Sequence, residues 1–138
     1  MYPITGPSKL TVEIKGKAKN VLPSGAGIYT LGPNAVYGRS IWLQDSGPNA
    51  IWYDKNIGVW NIGHRYDVGS KKSNIRSHGD VAGPQQAKKW VYYNKPKWIK
   101  SDDILVKSFK LGNSKLGTYK ELNIKTFGLG SRTDDVCP

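Results

Sequence analysis

The chain has 138 residues, a single cysteine and a net charge of +11. This suits one domain with its own buried core and excludes an internal disulfide framework. No apolar run approaches the roughly 18 residues of a membrane-spanning helix, and the first residues have neither the basic nor the apolar region of a signal peptide, so a soluble, intracellular or organellar protein with anionic partners is expected.

Sixteen Gly and eight Pro punctuate short runs rich in β-branched and aromatic residues, with five Trp and eight Tyr against two Phe. That pattern of strands and turns predicts an all-β fold. Residues 10–15 alternate apolar and polar, which predicts a half-buried strand with Leu10, Val12 and Ile14 inward. Residues 16–26 read as a loop. Residues 27–31 form the next strand, closed by Gly32, Pro33 and Asn34. Residues 40–44, 50–54 and 59–63 follow as three strands with short turns, an antiparallel meander.

Residues 65–88 read as a long irregular loop with room for one helical turn near Gln85, Gln86 and Ala87; loops of this length in compact domains are often functional. Residues 89–93 and 97–100 flank Asn94, Lys95 and Pro96, a hairpin signal. Residues 104–109 make another strand, and residues 119–124 offer a last candidate in a Gly- and Lys-rich tail. The predicted architecture is a small antiparallel barrel or sandwich of seven or eight short strands. It divides into an N-terminal strand and loop (1–26), a core β domain (27–109) and a C-terminal extension (110–138).

No catalytic constellation stands out. His64 and His78 have no Cys or second His at metal-ligand spacing. Asp45, Asp54 and Asp67 sit near turns, where Asp accepts from backbone amides. Asp102 and Asp103 are adjacent and would point to opposite faces of an extended chain. Gly128, Leu129, Gly130 and Ser131 follow no strand–helix unit and do not read as a phosphate loop. Cys137 lies in the tail, where it reads as a free thiol. The expectation is a protein without enzymatic activity, cofactor or metal.

The order of signals within 27–106 is Gly27 and Tyr29, then Gly38 and Arg39 before Trp42, then Gly58, Trp60 and Ile62. Pro84, Trp90 with Tyr92, Trp98, and Ile104 with Val106 complete it. This stretch, about 80 of the 138 residues, resembles a Trp- and Gly-rich small β repeat module found in large predicted proteins of algae, other protists and marine invertebrates. The resemblance implies a small β fold with a scaffold or recognition role and no known active site. The chain departs from the pattern in carrying one copy, in having Tyr37 where Asn is expected, and in its own N-terminal strand and C-terminal tail.

Between Lys71 and Lys100 there are eight Lys or Arg and one acid, Asp80, with Trp90, Tyr92, Tyr93 and Trp98 interleaved. Cations mixed with rings suit an anionic partner with stackable or apolar groups. The expected binding face comprises Arg39, Lys71, Lys72, Arg76, Lys88, Lys89, Tyr92, Lys95, Lys97 and Trp98. Arg39 is also read as stacked on a Trp beside the sheet or, with Gly38 and Ser40, as the fork of a backbone nest for an anion. The expected function is a structural or interaction subunit that docks through this face on an acidic protein partner in a larger complex. A polyanion such as a glycan, a nucleic acid or an anionic membrane surface is the alternative partner. A carbohydrate-binding module would require two or more of the five Trp to be exposed and coplanar, and a nucleic-acid-binding protein would bind with a steep salt dependence.

Overall fold

The computed structural model describes residues 6–36 and 38–109. It contains nine strands: β1 (Lys9–Ile14), β2 (Gly27–Val36), β3 (Arg39–Gln44), β4 (Asn49–Asp54), β5 (Val59–His64), β6 (Ile75–Ser77), β7 (Trp90–Asn94), β8 (Lys97–Ser101) and β9 (Ile104–Ser108). All neighbours are antiparallel, in the order β8-β7-β6-β5-β4-β3-β2-β1-β9. The predicted all-β class holds. The N-terminal strand, set apart in the sequence reading, lies inside the sheet between β2 and β9. The candidate strand at 119–124, Tyr37 and Cys137 lie outside the described residues.

The connection between β8 and β9 bends this sheet into a nearly closed barrel. The two strands occupy opposite edges of the sheet, yet only Asp102 and Asp103 separate them in sequence. Three peptide steps span at most about 11 Å, so the edges must converge there. Strict antiparallel alternation makes β8 and β9 run in the same direction. Side-by-side parallel pairing needs a crossover of a dozen or more residues. Instead β9 continues β8 past a kink: the first half pairs with β7 and the second with β1.

Strand alternation fills the interior. Leu10, Val12 and Ile14 from β1 point inward as predicted, joined by Tyr29, Trp42, Ile51, Trp60, Ile62, Ile75, Trp90, Ile104 and Val106. Trp60 is central: it meets Trp42 edge-on with ring centroids 5.8 Å apart and Tyr53 at 5.2 Å. Such pairs add about 0.5–1.5 kcal/mol beyond the area they bury. Two of the indoles inside the barrel reach carbonyls at its rim. Trp42 Nε1 donates to Pro7 at 2.8 Å and Trp60 Nε1 to Val81 at 2.9 Å.

The five Trp serve different faces of the sheet. Trp42, Trp60 and Trp90 are inside, whereas Trp52 belongs to a second apolar cluster with Ile41 and Ala50 on the outer face of β3 and β4. The segment after β5 covers that cluster, with Val68 against it and the Ser70 carbonyl accepting from Trp52 Nε1 at 3.4 Å. Gly63 makes the arrangement possible, since a Cβ there would lie 3.2 Å from the Trp52 ring. β4 is consequently buried on both faces along its whole length.

Three expectations need correction. The second strand does not stop at Leu31. It passes Gly32, Pro33 and Asn34 as a register shift and continues to Val36, because a bulge tolerates Pro where a regular ladder does not. The segment 65–88 contains the helical turn expected near Gln85 and Gln86, at Pro84–Gln86, but it is not otherwise a loop: it also supplies β6 and a second 3₁₀ turn, Arg65–Asp67. The loop at 16–26 likewise holds a 3₁₀ turn, Gly16–Asn20. β6 went unread because three residues are too few to show alternation.

A polar clamp closes the end of the barrel where β3 turns into β4. Gln44 Nε2 donates to the carbonyls of Ser24 at 2.8 Å and Ala26 at 3.0 Å, and its Oε1 accepts from Asn49 Nδ2 at 2.9 Å. Arg65 joins it through Nη2, which donates to the Gly47 carbonyl at 2.8 Å. Nearby, the Tyr29 hydroxyl donates to the Gly25 carbonyl at 2.6 Å, and burial raises its pKa well above the ordinary phenol value.

Two outcomes are expected. Trp60→Ala should lower stability by about 3–5 kcal/mol, read as a drop in the urea midpoint. The Tyr29 contribution to stability is present below about pH 10, where the phenol of the unfolded chain begins to ionise, and is lost as pH rises toward the folded value. Urea midpoints should therefore fall above about pH 10, and fall less steeply in Tyr29→Phe.

Candidate functional site

The outer face of β6, β7 and β8 is where cations and rings converge. Ile75, Trp90 and Tyr92 face the core, so alternation turns Arg76, Val91 and Tyr93 outward. Across the hairpin, Tyr93 is opposite Trp98 and Val91 opposite Lys100. The Tyr93 and Trp98 rings lie 5.2 Å apart, tilted by 50°. The Arg76 guanidinium carbon sits 4.5 Å from the centre of the Trp98 ring. Trp98 is 40% exposed, while the other four Trp are buried.

Arg76 also fixes the covering segment. Its Nη2 donates to the Lys71 carbonyl at 3.0 Å, which holds Lys71 and Lys72 beside the exposed ring. The result is a groove of about 610 Å³ whose walls include Lys71, Lys72, Asn74, Arg76, Tyr93 and Trp98. Asp67 is the one carboxylate along it and His64 borders it. His64 Nδ1 accepts from the Tyr66 amide at 3.1 Å, which starts the 3₁₀ turn at Arg65–Asp67. An arginine on a partly exposed ring contributes about 0.5–1 kcal/mol, a modest bias toward the stacked arrangement.

Of the residues expected on the binding face, Lys71, Lys72, Arg76 and Trp98 come together here. Lys95 and Lys97 are exposed at the adjacent hairpin end, where the Lys95–Pro96 peptide is cis. The remaining four do not join them. Tyr92 is buried in the barrel, because it shares the phase of Trp90. Lys88 and Lys89 lie at the opposite end of β7, and Lys89 is paired with Asp102. Arg39 is on β3, three strands from β6, with its guanidinium 4.1 Å from the centre of the Tyr53 ring; it stacks on a ring, but on a tyrosine and not on the Trp expected. Tyr93 and Lys100 are the members that sequence reasoning missed. Counting by two from Trp90 puts Tyr92 inward and therefore Tyr93, in phase with Val91, outward, and counting by two from Trp98 finds Lys100.

Several carboxylates are engaged elsewhere. Asp80 accepts from the Tyr53 hydroxyl at 2.8 Å. Burial first, then this bond and the Asp80 charge, raise the Tyr53 phenol above its ordinary value. Asp45 accepts from Thr30 Oγ1 at 2.6 Å and Lys9 Nζ at 3.2 Å, and these bonds hold its carboxyl below the usual range. Among the described residues no group of three His, Cys, Asp or Glu gathers to hold a metal ion, and no helix is long and apolar enough to cross a membrane.

The groove has an optical signature. Trp98 alone of the five Trp is open to solvent and it is flanked by cations, so iodide should quench tryptophan emission mainly through this residue. Trp98→Phe should remove most of that quenching with little change in the urea midpoint, and persistence of the quenching in the variant would contradict the exposure pattern. Comparison with protein-family models, with curated proteins and with solved structures gives no match for this chain.

Proposed function

We propose that this chain is a non-enzymatic interaction subunit that docks on an acidic protein partner through the outer face of β6, β7 and β8. The observation that carries the reading is the exposed Trp98 ring, with Arg76 stacked on it and Lys71 and Lys72 beside it along one groove. Trp and Arg are the side chains that most often dominate a docking interface, where a ring fills an apolar pocket and surrounding charges steer the encounter. The net charge of +11 attracts an acidic partner at longer range.

Stacking on a sugar is less well supported. The two rings that meet on this face, Tyr93 and Trp98, are tilted by 50° and offer no coplanar platform. The resemblance of residues 27–106 to a repeat module with a scaffold role agrees with docking.

The reading is tested with polyglutamate as the acidic probe. Binding should weaken as salt rises from about 50 to about 200 mM, since exposed charges are screened over about a Debye length. The double charge reversal Lys71→Glu with Arg76→Glu should weaken it about tenfold or more, with little effect from Lys107→Glu on β9. Equal effects from the two variants would remove the groove from the account.

A further inference from the structure

β8 is an edge of the sheet, and no described strand pairs with its outer side. The backbone groups that face this open side follow from ladder alternation. The Tyr93 amide donates to the Asn74 carbonyl and the His78 amide to the Lys89 carbonyl, both at 2.9 Å. Odd-numbered residues of β7 therefore bond to β6, and Trp90, Tyr92 and Asn94 turn their N–H and C=O groups to β8. Their register partners are Ser101, Ile99 and Lys97. This leaves Trp98 and Lys100 with N–H and C=O directed away from the sheet. The other sheet edge is different, because the turn Pro84–Gln86 lies against β9.

An open edge is a template for another strand, and the residues on β8 select which strand can use it. Lys97 and Lys100 are exposed on the strand and Lys95 is exposed at its hairpin. The nearest acid along the chain, Asp102, is paired with Lys89. A second copy of β8 laid against this edge would bring Lys97 and Lys100 of both strands to one seam, where like charges repel. A segment carrying Asp or Glu meets the opposite charge instead, and the half-exposed Trp98 ring offers contact for an apolar side chain on the same face.

We propose that β8 receives an extended acidic segment of a partner protein as an added strand, its main chain paired with Trp98 and Lys100 and its carboxylates on the face that Trp98 and Lys100 share. This rests on the docking surface proposed above and names the form in which its partner binds.

The test uses a synthetic peptide of about eight residues, an ordinary strand length, alternating glutamate and threonine, titrated into the whole chain by calorimetry. Its counterpart has every backbone amide methylated and keeps the same charge. Methylation is expected to weaken binding about tenfold or more, the effect of losing one or two net hydrogen bonds. Lys100→Pro removes an outward N–H while leaving the ladder to β7 intact, and should weaken binding about tenfold beyond Lys100→Ala. Equal affinity for the two peptides would overturn strand pairing and leave the basic docking surface standing. Binding of single-stranded DNA but of neither peptide would overturn the proposal too, as would dimerisation that Lys100→Pro abolishes. Failure of polyglutamate and both peptides to bind would remove both readings. If Lys100→Pro does not fold, the peptide comparison on the unaltered chain decides alone.

Discussion

A sheet whose two edge strands are joined by two residues must bend until those edges meet. Asp102 and Asp103 impose that condition here. Because β8 and β9 run in the same direction, the junction is a kink in one long strand, and the strand changes partners as it passes from β7 to β1. Trp42, Tyr53 and Trp60 project into the enclosed interior from the neighbouring strands β3, β4 and β5 and meet edge to edge there. Aromatic bulk replaces aliphatic number, which explains how a chain with 38% apolar residues fills a core.

Among the described residues the same junction leaves the outer side of β8 without a strand neighbour. Closure at the kink brings the edges together at one point, and beyond it no described strand pairs with β8. The elements that cover the rest of the surface act elsewhere. Residues after β5 shield Trp52, and the turn at Pro84–Gln86 lies against β9. Among the described residues, Arg76 and Tyr93 are the side chains packed on the Trp98 ring. Its exposure is therefore a product of topology, and the cations gathered around it give that exposure a chemical preference.

Arg39 and Arg76 show how local chemistry diverges in different settings. Both stack on a ring, at 4.1 and 4.5 Å. Arg39 lies over Tyr53, which is buried and tied to Asp80, so its stacking serves the rim of the barrel. Arg76 lies over a ring that faces solvent and also anchors the Lys71 carbonyl. One arginine consolidates the fold, while the other organises a surface.

Period-two alternation made much of the fold legible from the chain alone. It identified Leu10, Val12 and Ile14 as inward, the meander from β3 to β5 and the hairpin from β7 to β8, because alternation and turn chemistry are local properties. It also contained the correct phase for Tyr92 and Tyr93, although composition drew attention to the wrong one. Alternation assigns residues to one face or the other but does not say which faces are covered. Covering is done by segments distant in sequence, so only the tertiary structure separated Trp52 from Trp98, brought Lys71 to Arg76, and left one edge of the barrel open.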